Sequence, residues 1–449
     1  MSDYAHNMRI VKLENMAREI SNQRAAPVSG KKPLQSRCAL PRLTEKSGAI
    51  PTEPIFQIEM NMNLSPLITK VHLPPISEVK RWLVERPDDG RELIDLCQAV
   101  PDYSPAAELT AHLAGLLTEP QMSKYSPDEG LPEVRQSICD YYGRKYGGTV
   151  SPDNICLTIG ASQAFWLAIV TLCRAGDEVV VQAPCYFDHQ MALDILGVRA
   201  VFAPFVEAEG GIPDPSTIEG LISPETRAIL VVTPSNPTGA ITPPATIREL
   251  YDIARRHNIA LLLDETYNEF IPGGVRPHEL FSDPTWGDHF VQIASFGKTY
   301  ALTGYRAGIL VASHNFIHHA LKAQDTMAVC QPRITQHAVK FGVEQLDRWV
   351  AANREMMGRR HDIFRAEFMR PGNRFQIITS GTFFAWVRHP FSGCSGRQVA
   401  KRLVDEAAIL CLPGEVFGPG LEDYLRLAFG NICEEAIPEA VGRFRQVTE

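Results

Sequence analysis

Between about residues 130 and 330, short apolar runs alternate with segments of helical periodicity. The runs at 228–233 (AILVVT) and 260–264 (ALLLD) are apolar at nearly every position, rather than at every second one. Strands of this kind are buried on both faces, which is typical of a mostly parallel sheet between layers of helices. We therefore predict an α/β fold, in which ligands bind at the carboxyl ends of the strands.

The same periodicities place the individual elements. The predicted strands are 155–159, 178–182, 198–202, 228–233, 260–264, 290–295 and 307–312. The predicted helices are 78–85, 106–118, 132–146, one from 164 onwards, 188–196 and 247–257. After residue 330 the pattern changes to one long helix at about 334–368 and strand signals at 375–378 and 383–388. This change predicts a second, smaller α+β domain.

Four segments are expected along the chain. They are an N-terminal extension at 1–55, an N-terminal part of the small domain at 56–112, a large domain at 113–330 and a C-terminal small domain at 331–449. The extension carries one helical pattern at 8–20. Residues 1–50 contain nine Lys and Arg and four Asp and Glu, and these interspersed acidic residues favour a surface arm over a transit peptide.

Charge and cysteine usage narrow the classes of function. The net charge is −8, which is not typical of proteins that bind nucleic acid or anionic membranes. No apolar stretch reaches the roughly 18 residues of a membrane helix. The ten cysteines include no CxxC pair and no zinc-like cluster with histidine, so we predict no metal site and expect reduced thiols in the cytoplasm.

Polar residues follow several of the predicted strands. The turn at 160–163 (GASQ) has small residues before a helix, where free N–H groups suit a phosphate. The turn at 235–239 leaves the amide of Asn236 projecting. Asp264 closes a buried strand and needs a cationic partner or several donors. Taken singly, each also fits an ordinary turn or helix cap.

Lys298 follows the strand at 290–295 among small residues. Burial in such a setting lowers the pKa of a lysine and frees its amine for imine formation. Arg306 lies eight residues further on and can serve as a fixed cation for a phosphate. Either residue alone would usually be a surface charge.

The stretch at 295–308 (SFGKTYALTGYRAG) resembles the cofactor-lysine signature of class I aminotransferases. It is joined in the expected order by KYS at 124–126, GASQ, SNPTG at 235–239, DETY at 264–267 and YLRL at 424–427. The resemblance, which spans about residues 60–445, implies a fold-type I enzyme dependent on pyridoxal 5′-phosphate. Such an enzyme has a large domain with a mostly parallel sheet sandwiched by helices, plus a smaller α+β domain. It moves an amino group between an L-amino acid and a 2-oxo acid by a ping-pong mechanism.

The resemblance also implies roles around the cofactor ring. Lys298 would form the internal imine and then move the proton between the substrate and the cofactor. Asp264 would pair with the ring nitrogen. Asn236 and Tyr267 would hydrogen-bond the phenolic oxygen, and Tyr186 would stack on the ring.

The phosphate and the substrate have implied partners as well. Ala161, Ser162, Ser295 and Arg306 would hold the phosphate. Tyr125 would reach the phosphate of the neighbouring subunit, which implies a homodimer with shared active sites. The substrate would be bound by three residues: Arg426, which would grip its α-carboxylate, Asn236 and Ala99.

Two positions leave the substrate open. Ala99 lies in the segment 97–103 (CQAVPDY), where a glycine is common in the family, so the pocket there is expected to differ. Arg333 fits two interpretations: recognition of an acidic substrate side chain, or a surface arginine that starts a helix.

Other reactions use the same cofactor. Elimination or substitution at the β- or γ-carbon, cyclisation, and oxidation of an amino acid all start from the same cofactor-stabilised carbanion and stay open as alternatives. A regulator with a winged-helix domain is disfavoured, because residues 1–55 have no helix-turn-helix pattern. A nucleotide-dependent dehydrogenase is disfavoured because no GxGxxG follows a strand.

Overall fold

The computed structural model describes residues 62–86 and 89–447 of the chain. The predicted extension at 1–55 and the helical pattern at 8–20 lie outside the described residues. None of the helices in the described ranges has the length and hydropathy that crossing a membrane requires.

The described residues contain thirteen strands and fourteen α-helices. The strands are β1 Ile94–Asp95, β2 Ile155–Ile159, β3 Glu178–Gln182, β4 Arg199–Ala203, β5 Thr226–Val232, β6 Ala260–Asp264, β7 Phe290–Ser295, β8 Ala307–Val311, β9 Gln376–Gly381, β10 Phe384–Arg388, β11 Ile409–Leu410, β12 Leu412–Pro413 and β13 Tyr424–Ala428. The helices are α1 Pro66–Lys70, α2 Pro75–Glu85, α3 Ala107–Leu116, α4 Pro132–Tyr146, α5 Ala161–Leu172, α6 Phe187–Leu196, α7 Pro215–Gly220, α8 Pro244–Arg256, α9 Phe296–Thr299, α10 His314–Ala328, α11 Arg333–Gln345, α12 Asp347–Phe368, α13 Gly396–Ala407 and α14 Ile437–Phe444.

The central sheet has seven strands in the order β2-β8-β7-β6-β5-β3-β4. Strand β8 is antiparallel to both of its neighbours, and all other neighbours are parallel. Alternate residues of one strand enter two separate apolar cores: Leu261 and Leu263 pack in one, Ala260 and Leu262 in the other. The prediction of a mostly parallel sheet buried on both faces is therefore confirmed.

A second region has its own sheet and core. Strands β12, β13, β10 and β9 form an antiparallel sheet, and β1 pairs with β11 in a small parallel one. Its core is rich in aromatic side chains, including Phe364, Phe383, Phe384 and Phe429. The predicted smaller α+β domain is confirmed.

The prediction of a single helix at 334–368 is wrong, because the chain forms two helices that meet at Leu346. Leu346 is fully buried and has a non-helical conformation, with φ −105° and ψ 16°. Ala338 and Val343 of α11, and Val350 in the first turn of α12, pack in the core of the central sheet, whereas Phe364 further along α12 packs in the core of the small domain. The chain turns at Leu346, and α12 leads from the first core to the second.

The domain boundary placed between residues 330 and 331 stays a prediction. The packing of α11 with the central sheet favours a boundary near Leu346 instead.

One edge of the central sheet gathers the polar loops. Strands β5, β6 and β7 run parallel, so Val232, Asp264 and Ser295 end at the same edge. Strand β8 runs in the opposite direction, and its first residues pair with Ile159 and Ser295 at that edge. The loops that follow β2, β5, β6 and β7 therefore meet there, as the topology requires.

Candidate active site

A cavity of about 420 Å³ opens at this edge of the sheet. It is lined by every predicted site residue except Tyr125: Ala99, Ala161, Ser162, Tyr186, Asn236, Asp264, Tyr267, Ser295, Lys298, Arg306 and Arg426. The loops between strands and helices thus bring together residues that lie more than 300 positions apart in the sequence.

Lys298 lies on the short helix α9, which begins directly after β7. The hydroxyl of Ser295 fixes this start, because it accepts a hydrogen bond from the Gly297 N–H at 3.1 Å and donates to the Ala307 carbonyl at 3.2 Å. Burial, and then the charges of Arg306 and Arg426, lower the pKa of Lys298 to about 8. Its amine is therefore neutral far more often at neutral pH than that of an exposed lysine, which suits attack on an aldehyde.

Asp264 ends β6 and is buried. One carboxylate oxygen accepts the Thr266 N–H at 3.0 Å, and the other lies 2.9 Å from Nε2 of His189. His189 is itself buried and packs on Phe165, with ring centroids 4.1 Å apart. These contacts hold the carboxylate in place at the cavity wall.

The sequence interpretation missed His189. A signal was present, because His189 lies three residues after the predicted ring-stacking residue Tyr186, at the start of a predicted helix.

Asn236 and Tyr267 line the cavity together with Arg426. Asn236 Oδ1 accepts from Arg426 Nη1 at 3.1 Å. Burial raises the pKa of Tyr267 well above its usual range. The phenol therefore stays protonated and can donate to an anionic oxygen.

Arg426 is a buried cation on β13, with 1% of its surface exposed. Nη2 donates to the Cys97 carbonyl, and the guanidinium lies 5.7 Å from the Phe384 ring centroid and 5.6 Å from that of Phe417. Nε has no hydrogen-bond partner, and no described carboxylate forms an ion pair with the group. A buried charge left in this state is unfavourable, so the site suits an incoming carboxylate.

The turn before α5 forms a cradle with Arg306. Gly160 has φ +93°, and a Cβ there would lie 2.4 Å from Arg306 Nη2, while a Cβ on Gly308 would lie 2.3 Å from the Gly160 carbonyl carbon. Only glycines let Arg306 pack so closely, with Nη2 donating to the Ile159 carbonyl at 3.1 Å. The amino end of α5 then offers free N–H groups beside the Arg306 guanidinium. Such a combination of donors and positive charge is suited to binding a phosphate.

Tyr186 and Ala99 lie on other walls of the cavity. The Tyr186 hydroxyl donates to Asp188 Oδ2 at 2.7 Å, and its ring meets His189 edge-on at 5.4 Å. Near Ala99, the Tyr103 hydroxyl donates to the Lys298 carbonyl at 3.2 Å. The segment that departs from the family pattern thus contacts the lysine directly.

Tyr125 lies away from the cavity, with 77% of its surface exposed. Arg333 is the first residue of α11 and binds this segment: Nε donates to the Lys124 carbonyl at 3.0 Å and Nη2 to the Tyr125 carbonyl at 2.8 Å. These contacts favour the interpretation of Arg333 as a residue that starts a helix and holds a loop.

The chain is similar to known proteins in sequence and in fold. The family model for aminotransferase class I and II matches residues 91–444. The chain is 27% identical over 384 residues to the aromatic aminotransferase ISS1 of Arabidopsis thaliana, covering 84% of this chain and 94% of that protein. It is 28% identical over 375 residues to an aspartate aminotransferase of Pyrococcus horikoshii, covering 82% and 94%. A solved double mutant of Thermus thermophilus aspartate aminotransferase matches with a TM-score of 0.79 and 25% identity, over 86% of this chain and 99% of that one.

Proposed function

This chain belongs to the class I and II aminotransferase family, and from that premise we propose which of its residues carry out the reaction. It is a pyridoxal-phosphate-dependent enzyme of fold type I that transfers amino groups between amino acids and oxo acids. When bound, pyridoxal 5′-phosphate supplies an aldehyde that takes up the amino group and a ring that accepts electrons. We infer a ping-pong order, in which one cavity serves both half-reactions.

One observation carries the assignment of residues. A single cavity places the poorly solvated amine of Lys298 among Asp264, Arg306 and Arg426. Each of these charges suits one part of the cofactor or substrate: ring nitrogen, phosphate and α-carboxylate.

Lys298 would hold the cofactor through its amine. Once a substrate amine displaces it, Lys298 would move a proton from the substrate α-carbon to the neighbouring cofactor carbon. The lowered pKa of this amine suits the role, because a proton carrier works best when its pKa is near the operating pH.

Asp264 would pair with the ring nitrogen and keep it protonated. Thr266 and His189 hold the carboxylate from two sides, so it needs little rearrangement when the ring enters. Asn236 and Tyr267 would donate to the phenolic oxygen, and Tyr186 would cover one face of the ring.

The phosphate would lie against the N–H groups of Ala161 and Ser162, the Ser295 hydroxyl and the Arg306 guanidinium. Arg426 would bind the α-carboxylate of the substrate, with Asn236 and Ala99 beside it. Anchoring the carboxylate orients the bond that breaks.

We further propose a homodimer in which Tyr125 of each subunit completes the phosphate site of the other. Tyr125 is highly exposed, and Arg333 donates a hydrogen bond to its main-chain carbonyl; both observations support this arrangement.

We also propose a cytoplasmic location, which the nine free cysteines of the described residues support.

The half-reaction tests the proposed function. An amino acid added to the loaded enzyme without an oxo acid should change the cofactor absorbance in a stoichiometric way, and a 2-oxo acid added later should restore it. Steady release of ammonia, or uptake of oxygen, with the amino acid alone would favour a lyase or an oxidase instead.

A further inference from the structure

The cavity of Lys298 has an apolar wall that none of the proposed roles uses. Ile76, Trp166, Met191 and Ile195 line it from the helices α2, α5 and α6. All four side chains are only partly buried. Apolar surface left open inside a cavity is stabilised when an apolar group covers it.

Each positively charged side chain that lines the cavity already has a partner in the proposed function. Among the described residues that line it, Lys298, Arg306 and Arg426 are the only positively charged ones, and the proposed function assigns each of them a partner. Arg333 does not line the cavity, and its Nε and Nη2 donate to main-chain carbonyls. Among the described residues of this chain that line the cavity, none is therefore a cation left for a second carboxylate.

Asp188 brings a negative charge to the same cavity. Its Oδ2 accepts the Tyr186 hydroxyl at 2.7 Å, and no described Lys, Arg or His forms an ion pair with it. A partly buried carboxylate repels a second one more strongly than it would in water.

We propose that this cavity takes amino acids with an apolar side chain, and that the Asp188 carboxylate disfavours acidic ones. The inference rests on the proposed function in one respect, which is that Arg426 binds the α-carboxylate. Asp188 and the apolar wall line the same cavity as Arg426, so both remain to meet the substrate side chain.

Binding of two simple carboxylates to the loaded enzyme tests the proposal without any turnover. 3-Phenylpropionate and succinate each offer one carboxylate to Arg426, and they differ in carrying a phenyl ring or a second carboxylate. We expect calorimetric titration to find 3-phenylpropionate bound at least about tenfold more tightly, the scale of discrimination that apolar pockets reach. Equal or tighter binding of succinate would overturn the proposal.

The variant Asp188→Asn isolates the charge, because asparagine keeps an acceptor for the Tyr186 hydroxyl. We expect it to tighten succinate binding and so to narrow the ratio of the two affinities about threefold or more. The matched control is Asp362→Asn, which removes the same charge from a side chain that is 86% exposed and outside the cavity. A ratio that responds equally to both substitutions, or to neither, would contradict a role for Asp188.

Asp188→Ser replaces the asparagine variant if that variant does not fold, and thermal unfolding shows whether each variant is folded.

Failure of this inference can be distinguished from failure of the proposed function. If no amino acid reacts but the affinity ratio holds, only the proposed function fails. If amino groups are transferred while succinate is preferred, only this inference fails.

Discussion

At the scale of single residues, the chemistry depends on charges that the fold leaves without ordinary partners. Burial, and then the charges of Arg306 and Arg426, lower the pKa of Lys298, and Arg426 has an Nε without a hydrogen-bond partner. The proposed anionic ligands would relieve both conditions. The site is thus arranged for its ligands in advance.

The pH dependence of cofactor uptake should follow the amine of Lys298. Its pKa is lowered to about 8, so the neutral, reactive form grows as the pH rises towards 8 and changes little above about 9. We expect the rate at which the cofactor-free protein captures pyridoxal 5′-phosphate to follow this curve in stopped-flow absorbance.

Arg426→Gln should move that midpoint upwards, since removing a positive charge favours the protonated lysine. A midpoint that stays in place, or falls, would contradict the electrostatic account.

Asp264 and His189 should contribute unequally to kcat. Asp264→Asn removes the charge itself and should lower kcat by about 10²-fold or more. His189→Ala removes only a support of Asp264 and should lower kcat less, with the cofactor still bound. Steady-state kinetics on both variants would check this order, and an equal loss would mean that His189 does more than position the carboxylate.

At the scale of elements, the sequence predicted those strands and helices that are determined by the local pattern of apolar residues. Continuous apolar runs predicted β2 to β8, and the bounds of the observed strands differ by two residues at most. The break at Leu346 was missed, because α11 and α12 share a helical periodicity and only tertiary packing separates them: most of α12 covers the core of the small domain. The partnership of His189 with Asp264 was missed for a related reason, since it joins residues that are 75 positions apart.

The turn between β2 and α5 provides a test at this scale. A Cβ on Gly308 would lie 2.3 Å from the Gly160 backbone, whereas a Cβ on nearby Gly304 would meet nothing within 4 Å. Gly308→Ala should therefore destabilise the protein by about 1–3 kcal/mol and weaken cofactor binding, whereas Gly304→Ala should do neither. Thermal unfolding and cofactor titration measure the two effects. Similar behaviour of the two variants would contradict the claim that the close approach to Gly160 requires a glycine at position 308.

At the scale of the whole molecule, the proposed active site is shared between two chains. The resemblance to a family implied this from Tyr125, and within one chain Tyr125 is exposed and away from the cavity. Composition and periodicity could not predict it, because they describe one chain and the contact joins two.

Mixed dimers test the sharing directly. In a dimer of one Tyr125→Ala chain and one Lys298→Ala chain, one site carries both defects and the other carries neither. Random mixing should therefore restore activity to about a quarter of the wild-type value, well above either variant alone. Activity that stays at the mean of the two separate variants would rule out shared sites.

The central claim is that Lys298 carries the cofactor. Sodium borohydride reduces the bond between the cofactor and the amine that holds it, and thus makes the attachment permanent. Peptide mass spectrometry of the reduced, loaded enzyme should find the cofactor mass on the peptide that contains Lys298, and on no other lysine in stoichiometric amount. Attachment to a different lysine, or none after reduction, would contradict the account.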